Sequence, residues 1–157
     1  MDSGCNETMP ERSFKERRCF AQRKRDVEDI LDKYNDKIPC VIERYNNEKR
    51  LPRLDRSKFL VSDYLSFGDL LRTIRRRLEL HPDQAFFLLV NQRVMPPLSK
   101  TMSEIYSTDK DEDGYLYMVY ASQEVFGASH IDCSNNCISR IAAERSELEL
   151  LFSDEAK

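Results

Sequence analysis

Residues 57–78 read SKFLVSDYLSFGDLLRTIRRRL, a short apolar strand pattern that runs into an amphipathic helix pattern. Ser57 to Val61 is brief, apolar and led by a lysine, which is how a sheet edge is guarded against pairing with other chains. Side-chain alternation sends Phe59 and Val61 to one face and Lys58 and Leu60 to the other. Ser66 then supplies an N-capping hydroxyl, with Asp69 as an acidic residue in the first turn. From there Phe67, Leu70, Leu71, Ile74 and Leu78 recur at helical spacing and predict a buried stripe, while Arg72, Arg75, Arg76 and Arg77 fall mostly outward. Pro82 stops the helix.

Upstream, Lys37 to Tyr45 is apolar and β-branched, the pattern of a strand covered on both faces. Pro39 stands near its start, where a missing amide donor is tolerable. Asn46 to Lys49 carries turn chemistry. Ahead of this strand, Ala21 to Lys33 predicts a helix whose Val27, Ile30, Leu31 and Tyr34 form one buried stripe. Ser13 caps a shorter helix running to about Arg18, with Glu16 at capping-box spacing. Downstream, Ala85 to Val90 is the most continuous apolar run and predicts a buried strand. Pro96 and Pro97 mark a turn, Thr101 caps a short helix to Tyr106, and Asp111 to Gly114 turns the chain into a last strand at Tyr115 to Tyr120.

Two strands, a helix and two more strands make an α+β pattern, a β-grasp sheet of four strands folded around one helix, here preceded by two extra helices. Residues 1–12 read as a flexible lead, 13–127 as the domain, and 128–157 as an extension. Within that extension Ile138 to Phe152 has the spacing of a weak helix.

Function classes narrow by composition. With 40% hydrophobic and 34% charged residues, the 157-residue chain is ordinary globular material. No run approaches the roughly 20 apolar residues of a spanning helix, and Met1 to Pro10 lacks the apolar core of a secretory signal. Five cysteines, an odd number with no CxxC, suit a reducing compartment. Cys133, Cys137 and His130 fall short of a four-ligand zinc set. The glycines at 4, 68, 114 and 127 form no phosphate loop, His81 has no nucleophile placed to pair with it, and Asp111, Glu112 and Asp113 lack the calcium-loop spacing. These absences predict a protein that is not an enzyme and needs no cofactor.

Net charge is -3, but Arg12 to Arg25 (RSFKERRCFAQRKR) is strongly basic and the far tail acidic. The basic run reads either as a polyanion-facing end or as the wet face of helices.

The segments SFKERR, KIPCVIERY, KFLV, IRRRLEL, QAFFLLVN and KDEDGYLYMVYASQEVFG together resemble the light-chain-3 branch of the autophagy ubiquitin-like family, over Ser13 to Gly127 without a gap. The resemblance implies a ubiquitin-like β-grasp domain with a four-stranded mixed sheet and two N-terminal helices. It matches Phe126-Gly127 to the site where a processing cysteine protease cuts, with Gln123 and Phe126 positioning the tail. Activating and conjugating enzymes would then pass Gly127, as a thioester, to the amine of phosphatidylethanolamine on autophagosomal membranes. A glycine suits this step because, lacking a side chain, it threads a narrow channel and leaves its carbonyl open to attack.

The resemblance also implies docking of cargo receptors through motifs with an aromatic and an aliphatic residue three apart. One pocket would use Asp26, Ile30, Pro39, Lys58, Leu60 and Tyr115, and a second Phe59, Val61, Leu70, Ile74 and Arg77. Arg17, Arg18 and Lys58 would attract acidic residues flanking the motif. Two departures, Ser62 for a usual proline and Thr73 for a usual aliphatic residue, make the second pocket more polar. A third is the long extension after Gly127, expected to be removed as a propeptide. The protein would be cytoplasmic, and on autophagosomes once lipidated. The alternative is a soluble microtubule- or RNA-binding adaptor that keeps its extension and meets tubulin or RNA through Arg17, Arg18, Arg23, Lys24 and Arg25. A further form would bind peptides yet resist cleavage.

Overall fold

The computed structural model describes residues 12–123. The chain forms α1 (Phe14–Arg17), α2 (Phe20–Lys33), β1 (Lys37–Arg44), β2 (Lys58–Ser62), α3 (Phe67–Arg77), β3 (Phe86–Val90), α4 (Met102–Asp109) and β4 (Leu116–Ser122). The three predicted caps operate. Ser13 and Glu16 form a reciprocal capping box on α1, as do Thr101 and Glu104 on α4, and the Ser66 hydroxyl accepts the Asp69 N–H on α3. Each satisfies amide donors that a helix start leaves without an intrahelical partner. The fourth helix runs to Asp109 rather than Tyr106, and the last strand is shifted to Leu116–Ser122.

The sheet has the order β2-β1-β4-β3. β1 and β4 are parallel at its centre, while β1 pairs β2 and β4 pairs β3 in antiparallel fashion. This is the mixed β-grasp sheet the pattern predicts. One face packs on α3 and α4 through a continuous core that includes Ile38, Cys40, Ile42, Phe59, Val61, Leu70, Ile74, Met102 and Met118. At about 1.5–3 kcal/mol per fully buried large side chain, this face supplies most of the hydrophobic stabilisation.

The opposite face is covered by the N-terminal helices through a small cluster of Phe14, Val27, Val41 and Tyr115, with Tyr117 against it. Here the predicted α2 stripe needs correction. Val27 and Ile30 are buried, but Leu31 and Tyr34 are 37% and 39% exposed. α2 ends at Lys33 with Tyr34 as its C-cap, so the inward stripe runs through Arg23, Val27 and Ile30 instead. Close packing at this point is enforced by Gly114, whose φ is +93° and where an added Cβ would lie 2.6 Å from Val27 Cγ1.

Two polar clamps tie distant segments together. Glu48, in the β1–β2 turn, is buried, and its carboxylate accepts N–H bonds from Arg50 (2.7 Å), Leu51 (3.1 Å) and Ser122 (2.5 Å). Burial works against its ionisation, yet bonds from Ser122, Leu51 and Arg50 outweigh it and hold the carboxyl down to about 2. Asp113, with a fully buried side chain, pairs with Arg23 and accepts the Tyr117 hydroxyl at 2.5 Å and the Tyr115 N–H at 2.9 Å. Burial first, and the Asp113 bond second, raise the Tyr117 phenol above its ordinary value.

Candidate docking edge

β2 is an edge strand, and the pattern of its hydrogen bonds decides what it offers. Its register pairs Ile38 with Val61 and Cys40 with Phe59. Main-chain bonds from Ile42 N–H to Ser57 O (2.8 Å) and from Asp63 N–H to Asp36 O (3.0 Å) bracket that ladder. In an antiparallel pair, hydrogen-bonded and non-bonded positions alternate. Phe59 and Val61 therefore spend their amides on β1, and the amides of Lys58, Leu60 and Ser62 point away from the sheet. An extended peptide can add to such an edge as a further strand. Pro39 is harmless in β1, because it stands opposite Leu60 at a non-bonded position and β4 begins pairing only at Cys40.

Beside this edge lies a shallow concavity lined by Ile30, Lys58, Phe59, Leu60 and Tyr115. It gathers four of the six residues expected of the first pocket. A fifth, Asp26, ties its rim together: one carboxylate oxygen meets Arg18 Nη1 at 2.8 Å and Lys58 Nζ at 3.8 Å. Two cations on one carboxylate leave this rim with positive character. Arg17 lies 3.7 Å from Glu43 and 3.4 Å from the Ser57 hydroxyl. Rim charges of this kind act mainly on encounter rate and selectivity.

Tyr115 forms part of the wall. It is 1% exposed, its ring stands edge-on to Phe14 at 5.3 Å, and its hydroxyl is buried with no hydrogen-bond partner among the described residues. Burial, with a smaller contribution from the nearby Asp26 carboxylate, raises its pKa, so the phenol stays neutral.

The residues expected of the second pocket have a different setting. Phe59, Val61, Leu70 and Ile74 are 0–2% exposed and belong to the main core, with the Arg77 guanidinium 5.9 Å above the Phe59 ring. The polarity expected of this region is also corrected. The Thr73 hydroxyl donates to the Asp69 carbonyl at 2.9 Å, back along its own helix, so only its methyl group is left to pack. Ser62 shares the face of Lys58 and Leu60, and its hydroxyl accepts from Lys37 Nζ at 2.8 Å.

Phe126 and Gly127 lie outside the described residues, which end at the exposed Gln123. Sequence reading missed the Arg23–Asp113–Tyr117 clamp. Treating Arg12 to Arg25 as one basic surface hides that Arg23 lies four residues before Val27, on the buried stripe.

A profile of the family described as "Autophagy protein Atg8 ubiquitin like" matches residues 22–127. The chain belongs to this family. Among curated relatives, Protein lgg-2 of Caenorhabditis elegans is 52% identical over 115 residues, covering 73% of this chain and 88% of that protein. Microtubule-associated protein 1 light chain 3 gamma of Homo sapiens is 49% identical over 116 residues, 74% of this chain and 79% of that one. Autophagy-related protein 8 of Cochliobolus heterostrophus is 40% identical over 114 residues, 73% and 94% of the two chains. Membership makes the chain an autophagy ubiquitin-like protein, of the light-chain-3 branch by its relatives. Among the described residues no helix is long and apolar enough to cross a membrane.

Proposed function

We propose that this Atg8-family chain is a lipid-conjugated docking protein rather than an enzyme: a cysteine protease cuts it after Gly127, conjugating enzymes join it to phosphatidylethanolamine, and cargo receptors add a strand to β2. The observation that carries the docking half is the open edge, with amides at Lys58, Leu60 and Ser62 directed outward beside an apolar concavity and the cations of Arg18 and Lys58. An aromatic-x-x-aliphatic peptide laid along this edge alternates its side chains as an added strand requires. Its aromatic residue enters the concavity at Ile30 and Tyr115. Its aliphatic residue displaces the Phe59, Val61 and Leu70 side of the strand, which must open to receive it.

Support for the conjugation half is that the family match ends at residue 127, on the glycine, with residues 128–157 past it. Membrane attachment then comes from the lipid. At about 0.8 kcal/mol per buried methylene, two acyl chains hold a protein that one chain would hold only marginally. Arg23 is withdrawn into a buried pair with Asp113, and Arg18 is engaged by Asp26. That weakens the case for the alternative, a soluble adaptor held on tubulin or RNA by the same arginines.

The test is to express the full chain, tagged at both ends, in starved cells and to measure the C-terminal mass. The expected product ends at Gly127, carries phosphatidylethanolamine in the membrane fraction and disappears in Gly127→Ala. An intact chain ending at Lys157 in every fraction overturns the conjugation half and leaves a soluble peptide-binding adaptor.

A further inference from the structure

The loop between β1 and β2 is fastened to the last residues of β4 by side chains from both. The Glu48 carboxylate accepts the Ser122 N–H at 2.5 Å. Further along the loop, the Tyr120 hydroxyl donates to the Pro52 carbonyl at 2.8 Å and accepts the Leu54 N–H at 3.0 Å. Glu48, Leu51 and Leu54 turn inward at steps of three: Glu48 and Leu51 are buried, and Leu54 packs on the main core. Between these anchor points Lys49, Arg50 and Arg53 are exposed. From Lys49 to Arg56 the sequence has four cations and a single acid, Asp55. Glu48 adds no exposed negative charge, because its buried carboxylate is taken up by main-chain donors. Loops are ordinarily the mobile part of a domain, but this one carries its cations on backbone tied to the sheet.

We infer that this loop is an interaction surface for anionic lipid headgroups, brought against the membrane that holds the conjugated Gly127. The inference rests on the conjugation half of the proposed function, and placement carries it. β4 ends at Ser122, and Gly127 stands five positions on, a reach of at most about 18 Å of extended chain. The anchor therefore keeps the Ser122 end of the sheet close to the bilayer, and the basic loop is fastened to that end. The beginning of β4, at Leu116, is about 20 Å away at 3.3 Å per residue. There the basic N-terminal run reaches the sheet, through Lys15 on Asp111 at 3.0 Å. An anionic surface attracts cations over about one Debye length, roughly 8–10 Å, and each basic residue adds to the hold. A loop that is already ordered gives up little conformational freedom on contact. The lipid sets how far the domain can stray, and the loop sets which end of it turns toward the bilayer.

The experiment has the full chain cut and conjugated by the pathway's enzymes on vesicles of phosphatidylethanolamine and phosphatidylcholine, with or without phosphatidylserine. The conjugate is then acetylated briefly with an uncharged reagent, and mass spectrometry reads the rate at each lysine. With phosphatidylserine present, Lys49 should react at least about tenfold more slowly than without it. Salt at 1 M, where the screening length is about 3 Å, should restore the rate. Lys110, exposed at the other end of β4, should react alike on both vesicles. The double variant Arg50→Gln, Arg53→Gln keeps Lys49 as reporter and keeps the Arg50 N–H that Glu48 accepts. In it the slowing should shrink to within about threefold. Equal Lys49 rates on the two vesicles, or slowing that survives in the double variant, overturns the inference while the conjugate itself stands. Slowing that vanishes when the enzymes are washed away also overturns it, and assigns the loop to a protein surface. If no conjugate forms on either vesicle, the conjugation reading fails and this inference falls with it.

Discussion

Phe59 and Leu60 are neighbours in the chain and nearly equal in burial, at 2% and 4% exposed, yet they belong to differently built halves of the molecule. Phe59 faces α3 and a broad, wholly apolar core. Leu60 faces the N-terminal helices, where a handful of apolar side chains is supplemented by a buried ion pair and the buried Tyr115 hydroxyl, which has no hydrogen-bond partner among the described residues. A ligand seeking the Phe59 side must open packed core, whereas the Leu60 side starts from a shallow concavity that has only to deepen. The lesson is that one edge strand can offer two docking surfaces with different opening costs.

The sharpest way to break this comparison is to hollow out both faces. Phe59→Ala should cost about 4 kcal/mol in chemical unfolding, because it leaves a cavity in close-packed surroundings. Leu60→Ala should cost about 2 kcal/mol, since the thin layer around it can collapse. Equal losses would mean that the two faces are packed alike.

The ion pair comes next. Asp113→Ala strips a buried guanidinium of its carboxylate and should cost about 3 kcal/mol. Adding Arg23→Met, which replaces the stranded charge by an apolar side chain of similar length, should recover most of that loss. If the double variant is as unstable as the single one, the pair contributes through more than charge matching.

A third test moves from the faces to the clamp that joins their ends. Glu48 has its carboxyl lowered from 4.5 to about 2 in the folded state, so folding favours its ionised form. A depressed folded pKa contributes stability that is complete above the unfolded value and is lost as pH falls through the folded one. Glu48→Gln should therefore be less stable than the unaltered chain by about 2–3 kcal/mol at neutral pH. Urea titrations from pH 6 to pH 2 should show the gap narrowing below about pH 4.5. A gap that does not vary with pH would mean that the loss comes from geometry instead of ionisation.

These clamps also mark where the sequence stops being legible. The caps at Ser13, Ser66 and Thr101 are local devices, complete within four residues, and each is readable from its own stretch. The edge position of β2 follows from a lysine-led, brief strand. Glu48 is different: Asn46 to Lys49 reads only as turn chemistry, and the partner that explains its burial is Ser122, 74 residues away. Arg23 was legible in principle from the period of α2, but a run of basic residues reads as surface unless its phase is followed. Tyr115 is a pocket residue by resemblance, while the burial of its hydroxyl, without a partner among the described residues, is visible only from its three-dimensional neighbours. The conjugation glycine rests on sequence in another sense, since Gly127 lies past the described residues.

The smallest expected effect tests the register on which the whole edge depends. Ser62 has its hydroxyl held by Lys37 and its carbonyl by the Leu65 N–H at 3.1 Å, leaving the outward amide as the group available to an added strand. Proline is tolerated on edge strands where its missing N–H faces away from the ladder. Ser62→Pro should thus change stability by less than about 1 kcal/mol, whereas Val61→Pro, which deletes a ladder bond to Ile38, should cost about 3 kcal/mol. For peptides long enough to reach Ser62, the proline should weaken binding by no more than about fivefold, one net main-chain bond. Shorter peptides should not notice it. If Ser62→Pro unfolds the domain as Val61→Pro does, the outward and inward amides have been assigned the wrong way round, and the edge would present Phe59 and Val61 to its ligand instead of Lys58 and Leu60.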